Sequence, residues 1–369
     1  MTDLLYSEEE EALRSAVRDL LADRCDAPAV LARVETGTPH DRELWKALGE
    51  GMGLAGLLVP EELGGQGATH REAAVVLEEL GRAVAPVPYL TSAVVATEAL
   101  LACEGPEAAE LLGALAAGRT VGALAVSLAA APGAPFKGVR HEGGALHGEL
   151  TGIADAVGAD VLLVPVAGSD GADGGLYAVD TAQDGVTVTP RTSLDLTRPL
   201  ATVTFDAARA RALTPDAETA VRRALRAGAA LLASEQLGIA EWCLTETVRY
   251  VKERHQFNRP IGSFQALKHR LAQLWLEVVN TRAAARHAAD ALATGGDEPH
   301  LAAALAQAYA APVAVRAAEE AVQLHGGIGM TWEHPVHLYL KRAKADAIAY
   351  GTAGAHREAL AGLVALPAP

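Results

Sequence analysis

Leu13, Val17, Leu20 and Leu21 recur at the spacing of an amphipathic helix, and Ser7 followed by Glu8 to Glu11 supplies a cap and first-turn acids. Further helices are predicted over 41–51 and over the run E-A-A-V-V-L-E-E-L-G-R at 72–82. Residues 1–118 therefore read as a helical domain. The pattern changes near Thr120. The apolar runs V-G-A-L-A-V-S-L, G-G-A-L-H-G-E-L, A-D-V-L-L-V-P-V, G-L-Y-A-V-D, G-V-T-V-T-P and A-T-V-T-F-D are short and separated by Gly, Pro and Asp. They predict an antiparallel sheet or small barrel over 119–213. Helical spacing returns over 214–369. Thr214 is the predicted cap, with Pro215 at the first position and Asp216 and Glu218 in the first turn. That helix is predicted to reach Arg254, with others over 263–293, 300–324 and 333–347 and a last one after Gly354. The fold class is α+β, mostly α.

Composition narrows the function. A chain of 369 residues, half of them apolar, can build two or three packed units. Abundant alanine and few aromatics favour closely packed helices. A net charge of −15 with no basic stripe argues against a nucleic-acid partner. Cys25, Cys103 and Cys243 are far apart, odd in number and in no metal-binding spacing, so they read as buried thiols in a reducing compartment. The N-terminal M-T-D-L-L-Y-S-E-E-E has no basic or apolar targeting region. The apolar run Leu111 to Ala131 is too interrupted by Gly and Arg to span a membrane. A cytoplasmic protein with no membrane span is expected. His334 and His337 stand three apart, but the sequence shows no third ligand, so no metal site is expected.

Two stretches carry the chemistry. The first is R-Y-V-K-E-R-H-Q-F-N-R-P-I-G-S-F-Q-A-L-K-H-R-L-A-Q, from Arg249 to Gln273. The second is A-V-Q-L-H-G-G-I-G-M-T-W-E-H-P-V-H-L-Y-L-K-R-A-K, from Ala321 to Lys344. In this order and at this distance they resemble the C-terminal helical domain of the FAD-dependent acyl-CoA dehydrogenase family, as found in actinobacterial-type members. The resemblance extends to the N-terminal part, where Trp45 precedes a Val-Pro-Glu turn and a glycine pair, and to S-L-D-L-T-R-P-L-A-T-V-T-F-D in the middle. It implies a helical domain, a β-domain and a C-terminal four-helix bundle. It also implies FAD as cofactor, with Arg254 clamping the pyrophosphate through paired bonds from its planar fork. Phe257 and Gln265 flank the dinucleotide, and Gln323, Gly326 and Gly327 let backbone approach it. In the family these groups reach an FAD whose flavin sits in the neighbouring subunit, so a dimer or tetramer is implied. Family glycine is replaced by Asn258, which tolerates the same positive φ.

The catalytic positions depart from the family. Family chemistry removes two hydrogens from an acyl-CoA thioester, and a glutamate takes the α-proton as the β-hydride passes to flavin. The gap-free stretch from Gly326 to Thr352 puts Tyr350 at that glutamate, and the alternative helix position holds Gly228. Glu235, seven residues beyond Gly228 and about 10 Å along the helix, is the remaining carboxylate candidate. In the middle domain the acidic and aromatic flavin contacts are missing, and Ser127 alone keeps a hydroxyl. Two readings follow. One is an acyl-CoA dehydrogenase of lipid or secondary metabolism, acting on an acyl-CoA or acyl-carrier substrate and passing electrons to an electron-transfer flavoprotein. The other is a base-lacking subunit that completes the FAD site of a catalytic homologue. A relative repurposed for flavin hydroxylation is a further alternative.

Overall fold

The computed structural model describes residues 4–38, 40–166, 174–295 and 298–366. Met1 to Asp3, part of the stretch read for a targeting signal, lie outside the described residues. The N-terminal part is helical: α1 (Glu8–Arg24), α2 (Ala27–Val34), α3 (Arg42–Lys46), α4 (His70–Ala83), α5 (Thr97–Leu100) and α6 (Pro106–Ala116). The Ser7 hydroxyl accepts from the Glu10 amide at 3.1 Å and the Glu10 carboxylate accepts from the Ser7 amide at 2.7 Å, closing a capping box. Helix α2, capped by Asp26, is not among the elements that the sequence pattern predicts. The helix predicted over 41–51 is α3 continued as a π-helical turn over Ala47–Gly51, and a second π-helical stretch, Tyr89–Ala96, runs into α5.

The middle section forms two four-stranded sheets. Strands β1 (Gly122–Leu124), β2 (Arg140–Glu142), β3 (Ala145–Ala154), β4 (Val161–Val166), β5 (Gly175–Asp180), β6 (Val186–Arg191), β7 (Leu200–Arg209) and β8 (Arg211–Thr214) pair in the orders β1-β4-β5-β8 and β2-β3-β7-β6. The expected antiparallel pattern holds except between β1 and β4, which run parallel. All six residues of β4 are buried between layers.

Helices α7 (Ala217–Glu253), α8 (Gln265–Thr294), α9 (Pro299–His325), α10 (Val336–Asp346) and α11 (Ala353–Leu363) form the C-terminal part. The cap of α7 is Asp216, whose carboxylate accepts from the Thr219 amide at 2.9 Å; Thr214 ends β8 instead. Helix α7, about 55 Å long, is the spine of the molecule. It crosses α4 in backbone contact, because a Cβ on Gly81 would lie 2.2 Å from the Glu235 carbonyl oxygen and one on Gly238 2.0 Å from that of Glu78. Alanines along α7 and α9 let those helices pack closely in the same way. The segment Pro299–Met330 is long and apolar enough to cross a membrane by length and composition, but 67% of its apolar window is buried inside the fold. Cys25 and Cys243 are buried and Cys103 half-buried, all as free thiols.

Candidate functional site

The first motif leaves α7 at Glu253 and returns into α8 through a short hairpin, β9 (His255–Gln256) and β10 (Arg259–Pro260). Its two turn residues, Phe257 and Asn258, have φ of +52° and +63°, the left-handed pair of a tight hairpin turn. The Arg254 backbone is fixed on both sides: its amide donates to the Tyr250 carbonyl and its carbonyl accepts from the Ile261 amide, each at 2.8 Å. The second motif ends α9 at His325, turns at Gly326 with φ +62°, and leads into α10.

These two turns enclose an open cleft of about 480 Å³, with Arg254, Gly326 and Gly327 on its walls beside Tyr250 and His325. Arg254 is exposed and, among the described residues, no carboxylate lines the cleft, so the arginine has an anion-sized space before it. Helix α8 begins at Gln265 without a side-chain cap, which leaves amides at the positive end of its dipole. Phe257 (88% exposed), Gln265 and Gln323 lie on the surface outside the cleft lining. This half of the site faces outward, and the chemistry of its lining, an exposed guanidinium beside glycine backbone, suits an anionic group.

Tyr350, Gly228 and Ser127 belong to a second, interior region. A Cβ on Gly228 would lie 3.1 Å from Tyr350 Cζ and 2.9 Å from Val95 Cγ2. The Tyr350 ring therefore packs directly on the helix position where a side chain would otherwise project. Tyr350 is 3% exposed with φ +51°, and its amide donates to the Leu128 carbonyl at 2.6 Å. Gly351 is pressed against Ala131, where a Cβ would sit 2.8 Å from the Ala131 Cβ. The cavity between Thr91, Leu124, Leu128, Leu225 and Tyr350 is about 10 Å³. Burial pushes the Tyr350 phenol above its ordinary pKa, so it is neutral at physiological pH and cannot take a proton. Ser127 Oγ lies beside Gly152, 3.1 Å from where its Cβ would stand.

Glu235 sits in a buried ion network. Arg198 Nη2 donates to both of its carboxylate oxygens and Arg342 Nη1 to Oε1, all at 2.7 Å, while Arg198 Nη1 donates to Asp346 Oδ1 at 2.7 Å. Arg342 also pairs with Asp195 at 2.7 Å. Burial alone would raise the Glu235 pKa, but Arg198 and Arg342 more than reverse this and hold it at about 2. Asp346 moves the other way, pushed up by burial and by the Glu235 charge. Glu235 thus joins α7, α10 and the loop before β7. The sequence pattern singles it out but does not show its partners. A further cavity of about 510 Å³, lined by Arg222, Arg226, His300 and His356, has no signal in the sequence pattern either.

Residues 7–119 match the family described as acyl-CoA dehydrogenase, N-terminal domain, and residues 219–364 match acyl-CoA dehydrogenase, C-terminal domain. The chain belongs to the acyl-CoA dehydrogenase family. Family members bind FAD, the cofactor expected from the sequence. Acyl-CoA dehydrogenase IpdE2 of Mycolicibacterium smegmatis is 38% identical over 92% of this chain and 94% of its own length. Among solved structures, a variant of the Tcur3481-Tcur3483 steroid ACAD is 32% identical with a TM-score of 0.85, covering 97% of this chain and 98% of that one. The ChsE4-ChsE5 complex from Mycobacterium tuberculosis is 28% identical with a TM-score of 0.88, covering all of both chains. The acyl-CoA dehydrogenase fold accounts for the helical, β and helical sections.

Proposed function

We propose that this chain is the base-lacking subunit of a heteromeric, FAD-dependent acyl-CoA dehydrogenase. It lends Arg254, Gly326 and Gly327, flanked by Phe257, Gln265 and Gln323, to an FAD whose flavin ring is seated in a catalytic homologue. When bound, FAD accepts the hydride removed from the acyl-CoA thioester. The contribution of this chain is to hold the diphosphate and to bury one face of the assembly. The observation that carries the reading is the contact of Tyr350 on Gly228. The two positions at which family members place a glutamate here fill each other's space, and the cavity beside them is about 10 Å³. An acyl group and a flavin need hundreds of cubic ångströms. Glu235 does not supply the missing base on this reading, because three charge-assisted bonds already occupy its carboxylate. Two of the similar solved structures are named as pairs of chains, which suits an unequal assembly.

The test is co-expression with a glutamate-bearing homologue and dye reduction on acyl-CoA thioesters. Tyr350→Phe in this chain should leave turnover unchanged, while replacing the homologue's glutamate by glutamine should lower it roughly 10²–10⁴-fold. A comparable loss from Tyr350→Phe would overturn the proposal.

A further inference from the structure

His325, His334 and Glu246 come together although Glu246 lies 79 residues before His325 in the sequence. One ligand atom from each lies within 4.8 Å of the others. Helix α7 contributes Glu246, the last turn of α9 contributes His325, and the loop before α10 contributes His334. His334 thus meets His325, at 4.4 Å between ring centroids, rather than His337, whose ring stacks on Trp332.

The hydrogen bonding of His325 fixes its tautomer. Nδ1 lies 2.6 Å from the Ala321 carbonyl oxygen, which can only accept, so Nδ1 carries the proton. Nε2 therefore presents a lone pair. It is buried, in a residue 2% exposed, and has no hydrogen-bond partner among the described residues. A histidine whose second nitrogen donates to a backbone carbonyl is the usual arrangement of a metal-ligating imidazole. Arg249 donates to both Glu246 oxygens, while each oxygen retains a second lone pair.

We propose that Glu246, His325 and His334 form a binding site for a divalent transition-metal ion of the zinc type. Two imidazoles and one carboxylate suit zinc, with a fourth position left for water or an anion. Tetrahedral ligand atoms at zinc bond lengths lie about 3.4 Å apart, so from separations within 4.8 Å the groups need to close by at most about 1.4 Å. Glu246 has a long flexible side chain and His334 stands in a loop, so both can move. The long contact from the Val336 amide to His334 Nδ1, 3.3 Å, is weak and readily surrendered. His325 also lines the cleft of Arg254, Gly326 and Gly327. An ion there would pin the end of α9 and the loop before α10 to α7. A phosphate oxygen is not an alternative partner for His325 Nε2 itself, since lone pair would face lone pair. The site does not depend on the base-lacking reading.

Titration of the metal-free, full-length chain with ZnCl₂ by calorimetry should show one high-affinity ion per chain, and CoCl₂ should give the visible absorption of a low-coordinate cobalt site. Glu246→Gln and His334→Ala, both at half-buried positions, should each weaken zinc binding by at least about 10–100-fold, the loss seen even for outer partners. His337→Ala should bind as the parent does. Circular dichroism of each variant separates loss of the site from loss of the fold. Absence of stoichiometric binding, or equal binding by the Glu246 and His334 variants, overturns the proposal. So does a His325→Asn variant that loses flavin from the assembly while zinc binding stays intact, because Nε2 would then be a cofactor contact.

Discussion

Glu235→Gln should cost less stability than its burial suggests, and the reason lies in Asp346. Arg198 and Arg342 face three carboxyl groups in the buried network, Glu235, Asp195 and Asp346. Two guanidiniums against three carboxylates sum to −1; a proton on Asp346 brings the network to zero. Asp346 is held above the ordinary carboxylate range by burial and by the Glu235 charge. Removing that charge lets Asp346 ionise and restore neutrality. Breaking a buried ion pair usually costs about 3–5 kcal/mol. With Asp346 compensating, Glu235→Gln should cost about 1–3 kcal/mol, near the value of its charge-assisted bonds. Asp346→Asn alone replaces the carboxyl whose protonated form burial and the Glu235 charge favour, and should cost about 1 kcal/mol. The double variant leaves two guanidiniums opposite Asp195 alone, an uncompensated positive charge. Its cost should exceed the sum of the single costs by about 1–3 kcal/mol. Equilibrium denaturation followed by circular dichroism, at one protein concentration for all four proteins, measures the cycle. Costs that add to within about 0.5 kcal/mol would refute the charge accounting. Native stability of Glu235→Gln together with lost turnover in the active assembly would instead identify Glu235 as the base.

The remaining predictions concern the two halves of the site and the response to acid. Tyr350→Ala should destabilise the chain by about 3–5 kcal/mol, since the ring fills its space completely, and Gly228→Ala by about 1–3 kcal/mol through overpacking against Tyr350 and Val95; denaturation midpoints check both. Arg254→Ala should leave the melting curve unchanged, because the side chain is exposed, while weakening flavin retention in the assembly by about 1.5–3 kcal/mol, roughly 10- to 150-fold. Glu235 titrates at about 2 in the folded chain, and Asp155 is also lowered, burial being outweighed by His40, Arg198 and Thr91. Depressed carboxylate pKa values contribute stability that is full above the unfolded value of about 4 and is lost as pH falls toward about 2. Melting temperatures should therefore drop across that window. Light scattering should show a dimer or a dimer of dimers, as the proposed sharing of the outward-facing cleft between two chains requires.

Local signals carry most of the fold. Ser7, the acids after it and the apolar spacing to Leu21 specify α1 within a few residues, and Gly326 and the Phe257-Asn258 pair mark the turns of both motifs. Helix α2 escapes the pattern because A-P-A-V-L-A-R-V is short and holds a proline, although Asp26 capping a proline-containing first turn is a usable signal. The parallel pairing of β1 with β4 is a tertiary outcome that strand patterns do not encode. The same limit applies to the site. Tyr350 and Gly228 can be located one by one in the sequence, but their contact cannot, since it joins α7 to the turn after α10. Glu235 looks like a free acid in the sequence because Arg198 and Arg342 lie 37 and 107 residues away. His334 pairs naturally with His337, its neighbour in sequence, while its neighbours in space are His325 and Glu246.

Flavin stoichiometry tests the central claim most directly, because it needs no knowledge of the acyl group. The chain is purified alone and after co-expression with a glutamate-bearing homologue, and flavin absorbance is divided by protein concentration. The chain alone should hold far less than one flavin per subunit, and the co-expressed pair should hold one flavin for each copy of this chain. A purified homomer carrying one tightly bound FAD per subunit would contradict the account, since the closed space at Tyr350 and Gly228 would then have to open to seat the flavin.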